Sequence, residues 1–163
     1  MPDKTNISLV VNNRPYELMI GKDVLPSNTL AETLRDYLGL LGTKIACDRA
    51  SCGACTVILN GQAVLACTLL TIECEGMNVT TIEGLEDPKT GRLHPLQQAF
   101  IDETAFQCGF CTPGIILTVK ALLDENPNPT EDEIKEALAG NFCRCISHYE
   151  VLKAVNAVVK GGK

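Results

Sequence analysis

Residues 47–55 read Cys47-Asp48-Arg49-Ala50-Ser51-Cys52-Gly53-Ala54-Cys55, and a fourth cysteine, Cys67, follows after eleven further residues. Three sulfurs on one short loop can surround a compact inorganic group from one side, and a fourth can close it from a neighbouring strand. The C-x4-C-x2-C core with a distant fourth cysteine is the spacing of plant-type 2Fe–2S sites. Ala50, Ser51, Gly53 and Ala54 are small, so backbone N–H groups can turn towards the sulfurs. Zinc ligands usually come as C-x2-C twice, and four residues between the first two cysteines suit zinc less well.

A second group lies further along, Cys108-Gly109-Phe110-Cys111 and Cys143-Arg144-Cys145, with 31 residues between the pairs. C-x2-C serves zinc and thiol redox chemistry as well as iron–sulfur clusters, so spacing alone leaves zinc open here. Each pair precedes a predicted helix, and helix N-termini offer free N–H groups and partial positive charge to an anionic cluster. The ninth cysteine, Cys74, has no partner spacing and reads as a small apolar filler on a strand edge.

The segment around the first cysteine loop reads as β. Ile7, Leu9 and Val11 alternate with polar residues, as do Tyr16, Leu18 and Ile20 after Asn12-Asn13, which predicts a hairpin. Asn60-Gly61 predicts a second one between residues 56–59 and 63–67, and residues 77–80 add a strand. Thr29 and Glu32 form a capping box for a helix over residues 29–38, ended by Gly39. Residues 84–91 carry turn residues without periodicity and read as a linker. Helices are then predicted from Pro95 to about residue 103, from Thr112 as N-cap to about 125, from the Thr130/Glu133 capping box to about 140, and over residues 149–159. The expected fold is α+β, a β-rich half followed by about four helices.

The chain has 163 residues, nine of them cysteine, with Lys+Arg 14 against Asp+Glu 20 for a net charge of −6. An acidic chain is a poor partner for nucleic acid, whose phosphates need a basic surface. The N-terminus has no basic run followed by a long apolar stretch, and no apolar run suits a membrane span. A soluble, cytoplasmic protein is expected, and in a reducing compartment the cysteines are read as metal ligands rather than disulfides. His94 reads as a loop or capping residue and His148 as a non-ligand. Nothing pairs a nucleophile with a base and no glycine-rich loop cradles phosphate, so electron transfer fits better than substrate chemistry.

The segments TLAETLRDYLGLLGTK, CDRASCGACTVILNG, QCGFCTPGIIL and NPNPTEDEIKEALAGNFCRC together resemble the small iron–sulfur subunit of the molybdenum hydroxylases, the xanthine oxidase family. The resemblance implies a β-grasp, plant-type ferredoxin domain over residues 1–83, a linker over 84–92, and a four-helix 2Fe–2S domain over 93–163. It implies Cys47, Cys52, Cys55 and Cys67 as ligands of one 2Fe–2S cluster, and Cys108, Cys111, Cys143 and Cys145 as ligands of another. It places Gln107 and Cys145 against the molybdopterin of a partner subunit. The implied partners are a large molybdenum-binding subunit, with molybdopterin as its cytosine dinucleotide, and a medium FAD-binding subunit, in a heterotrimer that can dimerise. The implied function is a relay between molybdopterin and flavin; the rival readings are a free-standing double 2Fe–2S ferredoxin and a zinc-stabilised interaction module. Family members usually read C-R-C-T-G-Y where this chain has Cys143-Arg144-Cys145-Ile146-Ser147-His148, a departure expected to retune the second cluster. Glycine is often found at the positions of Ala46 and Ala50.

Overall fold

The computed structural model describes residues 6–161. The alternation of apolar residues produces β1 (Asn6–Val11), whose Ile7, Leu9 and Val11 all face inward. Asn12 and Asn13 then adopt φ of 51° and 63°, the left-handed pair a tight hairpin requires, and the chain returns as β2 (Arg14–Met19) with Val11 opposite Arg14. The same device recurs at Asn60 and Gly61, between β3 (Thr56–Leu59) and β4 (Gln62–Leu65). With β5 (Asn78–Thr80) these strands form one mixed sheet in the order β2-β1-β5-β3-β4, in which only the β1–β5 pairing is parallel.

Between the hairpins the Thr29 hydroxyl accepts from Glu32 N–H while the Glu32 carboxylate accepts from Thr29 N–H, the capping box anticipated from sequence. It starts α1 (Leu30–Glu32), which widens at once into a π-helical turn over Thr33–Tyr37 and stops at Gly39, φ 70°. Leu30 and Leu34 pack from this turn onto Ile7, Leu9, Val57 and Val79 of the sheet.

The rest of the chain is helical: α2 (Pro95–Asp102), α3 (Thr112–Glu125), α4 (Glu131–Ala137) and α5 (His148–Gly161). They enclose a second core of Leu96, Phe100, Ile115, Val119, Ile134 and Val155. α2 packs on α5, and α3 packs on β3, which joins the two cores through one helix. His94 caps α2, its Nδ1 accepting from Leu96 N–H at 3.2 Å; burial holds this imidazole below its ordinary range and so keeps that acceptor free of a proton. No helix among the described residues is long and apolar enough to cross a membrane.

Four sequence expectations need correction. β4 ends at Leu65, not Cys67, because the N–H and hydroxyl of Thr68 both donate to Leu65 O and turn the chain. Cys74 is not on a strand edge; it ends a short 3-10 turn (Thr71–Cys74) and is buried in the sheet core. Thr112 is the first residue of α3 and not its cap. Cys111 in the cap position already has helical φ and ψ of −82° and −17°, and the Thr112 hydroxyl, inside the helix, is buried without a partner. α5 begins one residue early, at His148, because Ser147 caps it: its hydroxyl accepts from Tyr149 N–H at 3.3 Å and contacts Glu150. The Ser-x-x-Glu pattern over residues 147–150 is the local signature of that start.

Candidate metal centres

The loop over residues 47–55 is shaped by three left-handed residues, Asp48 (φ 52°), Ala50 (φ 56°) and Gly53 (φ 70°). This winding turns backbone N–H groups inward. The N–H groups of Arg49 and Ser51 both reach the Cys47 sulfur, Ser51 at 3.3 Å, and together with the Cys52 thiol and N–H they bring Cys47 down to about 7. Cys55 behaves oppositely. Burial pushes it up to about 12 although the Cys67 N–H points at its sulfur, and its thiol donates to Cys67. Cys47 therefore sits with Cys52, and Cys55 with Cys67, while Cys52 and Cys55 are close enough to interact electrostatically. β3 and the turn after β4 supply the wall behind Cys55 and Cys67, both buried.

Ala50 carries a Cβ in a conformation that costs an L-residue about 1–2 kcal/mol relative to glycine. Ala50→Gly is expected to stabilise the protein by about 1 kcal/mol, once the greater freedom of glycine in the unfolded chain is subtracted. Chemical denaturation checks it; a midpoint that stays put or falls would show that the loop is not strained there.

The second group gathers where α3 and α5 begin. Cys111 is buried at the cap of α3, pushed up to about 12 by burial, with its thiol donating to Cys143. Burial opposes ionisation of Cys143, but the Cys111 thiol and the N–H groups of Ile146 and Cys145, each 3.4 Å from its sulfur, hold it below the ordinary thiol range. The Cys145 thiol donates to Cys108 across 3.5 Å, and that contact pushes Cys145 up. The Cys145 thiol also reaches Cys143, so the sulfurs run in a chain Cys111–Cys143–Cys145–Cys108, buried or half-buried at the first two and exposed at the last two. Of the two unusual residues, Ile146 is buried in the helical core and His148 is exposed.

Eight of the nine cysteines thus fall into two tetrads, each linked by interactions between its own sulfurs. Among the described residues no three His, Cys, Asp or Glu side chains are arranged to hold one metal ion. A single zinc draws four ligands to one point, whereas a 2Fe–2S cluster takes two thiolates on each iron. Each tetrad supplies the four thiols that either centre takes. Cys74 stands apart, its thiol donating to Leu70 O at 3.6 Å. Gln107 is exposed and makes no hydrogen bond within the described residues.

Over residues 81–156, a span that includes the second tetrad, the chain matches the family model described as a 2Fe–2S binding domain. It is 45% identical to one of the subunits of nicotinate dehydrogenase from Pseudomonas putida, over 93% of each protein. The small FeS subunit of Eubacterium barkeri nicotinate dehydrogenase is 44% identical over 97% of each. The chain belongs to the small iron–sulfur subunits of the molybdenum hydroxylase family. Among solved structures, quinoline 2-oxidoreductase from Pseudomonas putida 86 matches with a TM-score of 0.87 at 37% identity, covering 96% of this chain and 94% of that one. Aldehyde oxidoreductase from Desulfovibrio desulfuricans also gives 0.87, at 40% identity, but there this small subunit corresponds to only 17% of the longer chain.

The sequence reading overlooked two residues that hold the tetrads together. Asn141 is buried and its Nδ2 donates to Gly53 O at 3.2 Å, while Gly114 lets α3 lie directly against Gly53. Neither has a local sequence signature.

Proposed function

We propose that this subunit relays electrons between a molybdopterin site and a flavin, both carried by partner subunits, through two 2Fe–2S clusters. In this reading Cys108, Cys111, Cys143 and Cys145 hold the cluster nearer the molybdopterin, and Cys47, Cys52, Cys55 and Cys67 hold the one nearer the flavin. The sheet half is the β-grasp, plant-type ferredoxin domain (residues 1–83), joined by residues 84–92 to the helical domain (93–163). The gathering of eight cysteines into two tetrads carries the reading, and the 45% identity to a nicotinate dehydrogenase subunit supports it.

The residues of this chain do four things. The cysteine thiolates would hold the irons. Backbone N–H groups of Arg49 and Ser51 at Cys47, and of Cys145 and Ile146 at Cys143, stabilise negative sulfur and so favour the reduced state. Burial of Cys55, Cys67 and Cys111 keeps water from one side of each site. Exposure of Cys108, Cys145 and Gln107 presents the other side of the second site to a partner, with Gln107 and Cys145 as the pterin contacts. A cluster held there would supply one-electron redox chemistry.

Three of the four phenylalanines, Phe106, Phe110 and Phe142, are exposed around this same face, with Phe142 at 66%. Apolar exposure of that kind marks a surface that a partner covers. The partners are a large molybdopterin-binding subunit, with the cofactor as its cytosine dinucleotide, and a medium FAD-binding subunit; the complex works in the cytoplasm.

Purification of the chain with its partner subunits, followed by iron analysis and electron paramagnetic resonance after dithionite reduction, tests the reading. Two distinct rhombic signals and about four irons per chain are expected. A colourless protein containing zinc, or a chain that purifies without partners and freely reduces unrelated acceptors, would overturn it.

A further inference from the structure

The two cysteine tetrads touch through backbone. Phe142 N–H donates to Cys52 O at 2.9 Å. Phe142 is the residue before Cys143, so one hydrogen bond links a residue of the first tetrad to the neighbour of a residue of the second. All other steps between the Cys52 and Cys143 sulfurs are covalent bonds.

The surroundings clamp this bond. Gly53 O, on the next peptide, accepts from three donors: Thr56 N–H at 3.2 Å, the Thr56 hydroxyl at 2.8 Å and Asn141 Nδ2 at 3.2 Å. Asn141 precedes Phe142, is 7% exposed, and its own N–H is tied to Leu138 O at 2.9 Å. A Cβ at Gly53 would fall 2.5 Å from Asn141 Nδ2 and 2.6 Å from Gly140 O. Two consecutive peptides of the first loop are therefore fixed against two consecutive residues of the second segment. Buried hydrogen bonds with this many partners hold geometry more tightly than a single pair does.

We propose that the Cys52 C=O···H–N Phe142 bond is the electron bridge between the two clusters, and that Asn141 is its positioning residue. The proposal rests on the two-cluster reading above. Per event, one electron lost at the Cys108/Cys111/Cys143/Cys145 site is gained at the Cys47/Cys52/Cys55/Cys67 site, or the reverse, and no heavy-atom bond is made or broken. Electron coupling falls off far more steeply across empty space than along bonds, so the one non-covalent step controls the path.

Phe142→Pro tests it in the cluster-loaded protein with its partners, because proline removes this N–H. Asn141 has φ −105° and ψ 112°, a conformation a residue preceding proline adopts without strain. Phe142→Ala, which keeps the N–H and loses the ring, is the comparison. After reduction with substoichiometric dithionite, freeze-quenched paramagnetic resonance follows redistribution of the electron between the two signals. Slower redistribution in Phe142→Pro than in Phe142→Ala, with both signals unchanged in shape, is expected; equal rates overturn the bridge.

Should Phe142→Pro not load its clusters, Asn141→Leu decides. Gly53 O keeps its two Thr56 donors in that variant, so no buried carbonyl is orphaned. Amide hydrogen exchange at Phe142, read by mass spectrometry, is expected to be protected in the wild type and about fivefold faster in Asn141→Leu, the shift that loss of one hydrogen bond makes in a local opening equilibrium. An unprotected Phe142 amide, or no change in either exchange or redistribution, overturns the proposal. A wild-type protein with only one signal fails the two-cluster reading and the bridge with it; two signals with indifferent variants sink the bridge alone.

Discussion

Gly114→Ala is expected to cost at least about 3 kcal/mol, at the upper end of what inserting one methyl into a packed interior does. The added Cβ would lie 2.1 Å from Gly53 O, 3.2 Å from Gly53 C and 3.3 Å from Ala54 C. All three are backbone atoms, so no side chain can rotate away. α3 would have to retreat from the loop over residues 47–55, and the retreat would pull on Cys111 at its cap and on the β3 face it covers. For a chain of this length the melting temperature should fall by roughly 10 °C. Gly140→Ala is the matched comparison, since a Cβ there meets nothing within 4 Å. It is expected to change stability by less than about 0.5 kcal/mol, as substitutions away from packed features do. Equal melting temperatures for the two variants would show that α3 and the cysteine loop are not in contact.

The same contact explains what the sequence could and could not disclose. Asn12-Asn13 and Asn60-Gly61 announced both hairpins because positive φ is a local demand met by a few residue types. The Thr29/Glu32 and Thr130/Glu133 boxes announced two helix starts for the same reason. Cysteine spacing marked both groups as candidate metal ligands, but for the second it left zinc open and only the family resemblance implied a cluster there. The Gly53–Asn141 bond spans 88 positions and has no periodic or local signature. A glycine with φ 70° in a loop looks the same whether it faces solvent or another backbone. Cys111 misled in a different way. The Thr-Pro pair after it looked like cap and first turn, but the Cys108–Cys111 turn winds straight into the helix and moves the cap one residue back. There the grouping of sulfurs overrides capping preference, and the Thr112 hydroxyl is left without a partner. Lack of partner spacing sets Cys74 apart from the ligands but does not say where it sits, and the short turn that holds it has no spacing of its own.

Cys143→Ala and Cys55→Ala are expected to divide the iron between them. Each should keep about two irons where the wild type has about four, and each should lose a different one of the two paramagnetic signals. The reason is that every contact between sulfurs stays within one group. Cys143 sits with Cys111 and accepts N–H bonds from Cys145 and Ile146, all within the second group. Cys55 sits with Cys67, behind β3. Neither sulfur is shared, so loss of one leaves the other tetrad its full set of four. Cys143→Ala should also loosen the starts of α3 and α5 more than it loosens the sheet. Binding free energy of a group that only the folded chain can hold is folding free energy, and it acts where the ligands are. Hydrogen exchange would therefore rise over residues 108–119 and 141–155 in Cys143→Ala, and over residues 44–67 in Cys55→Ala. Cys74→Ala completes the set: its thiol shares the sheet core with Cys55 and Cys67 but donates to Leu70 O, and both signals should survive. Retention of both signals in Cys143→Ala would remove that residue from the ligand set. Loss of both signals in either variant would mean that the two sites assemble as one unit, through the backbone contact at Gly53 and Phe142 that joins them.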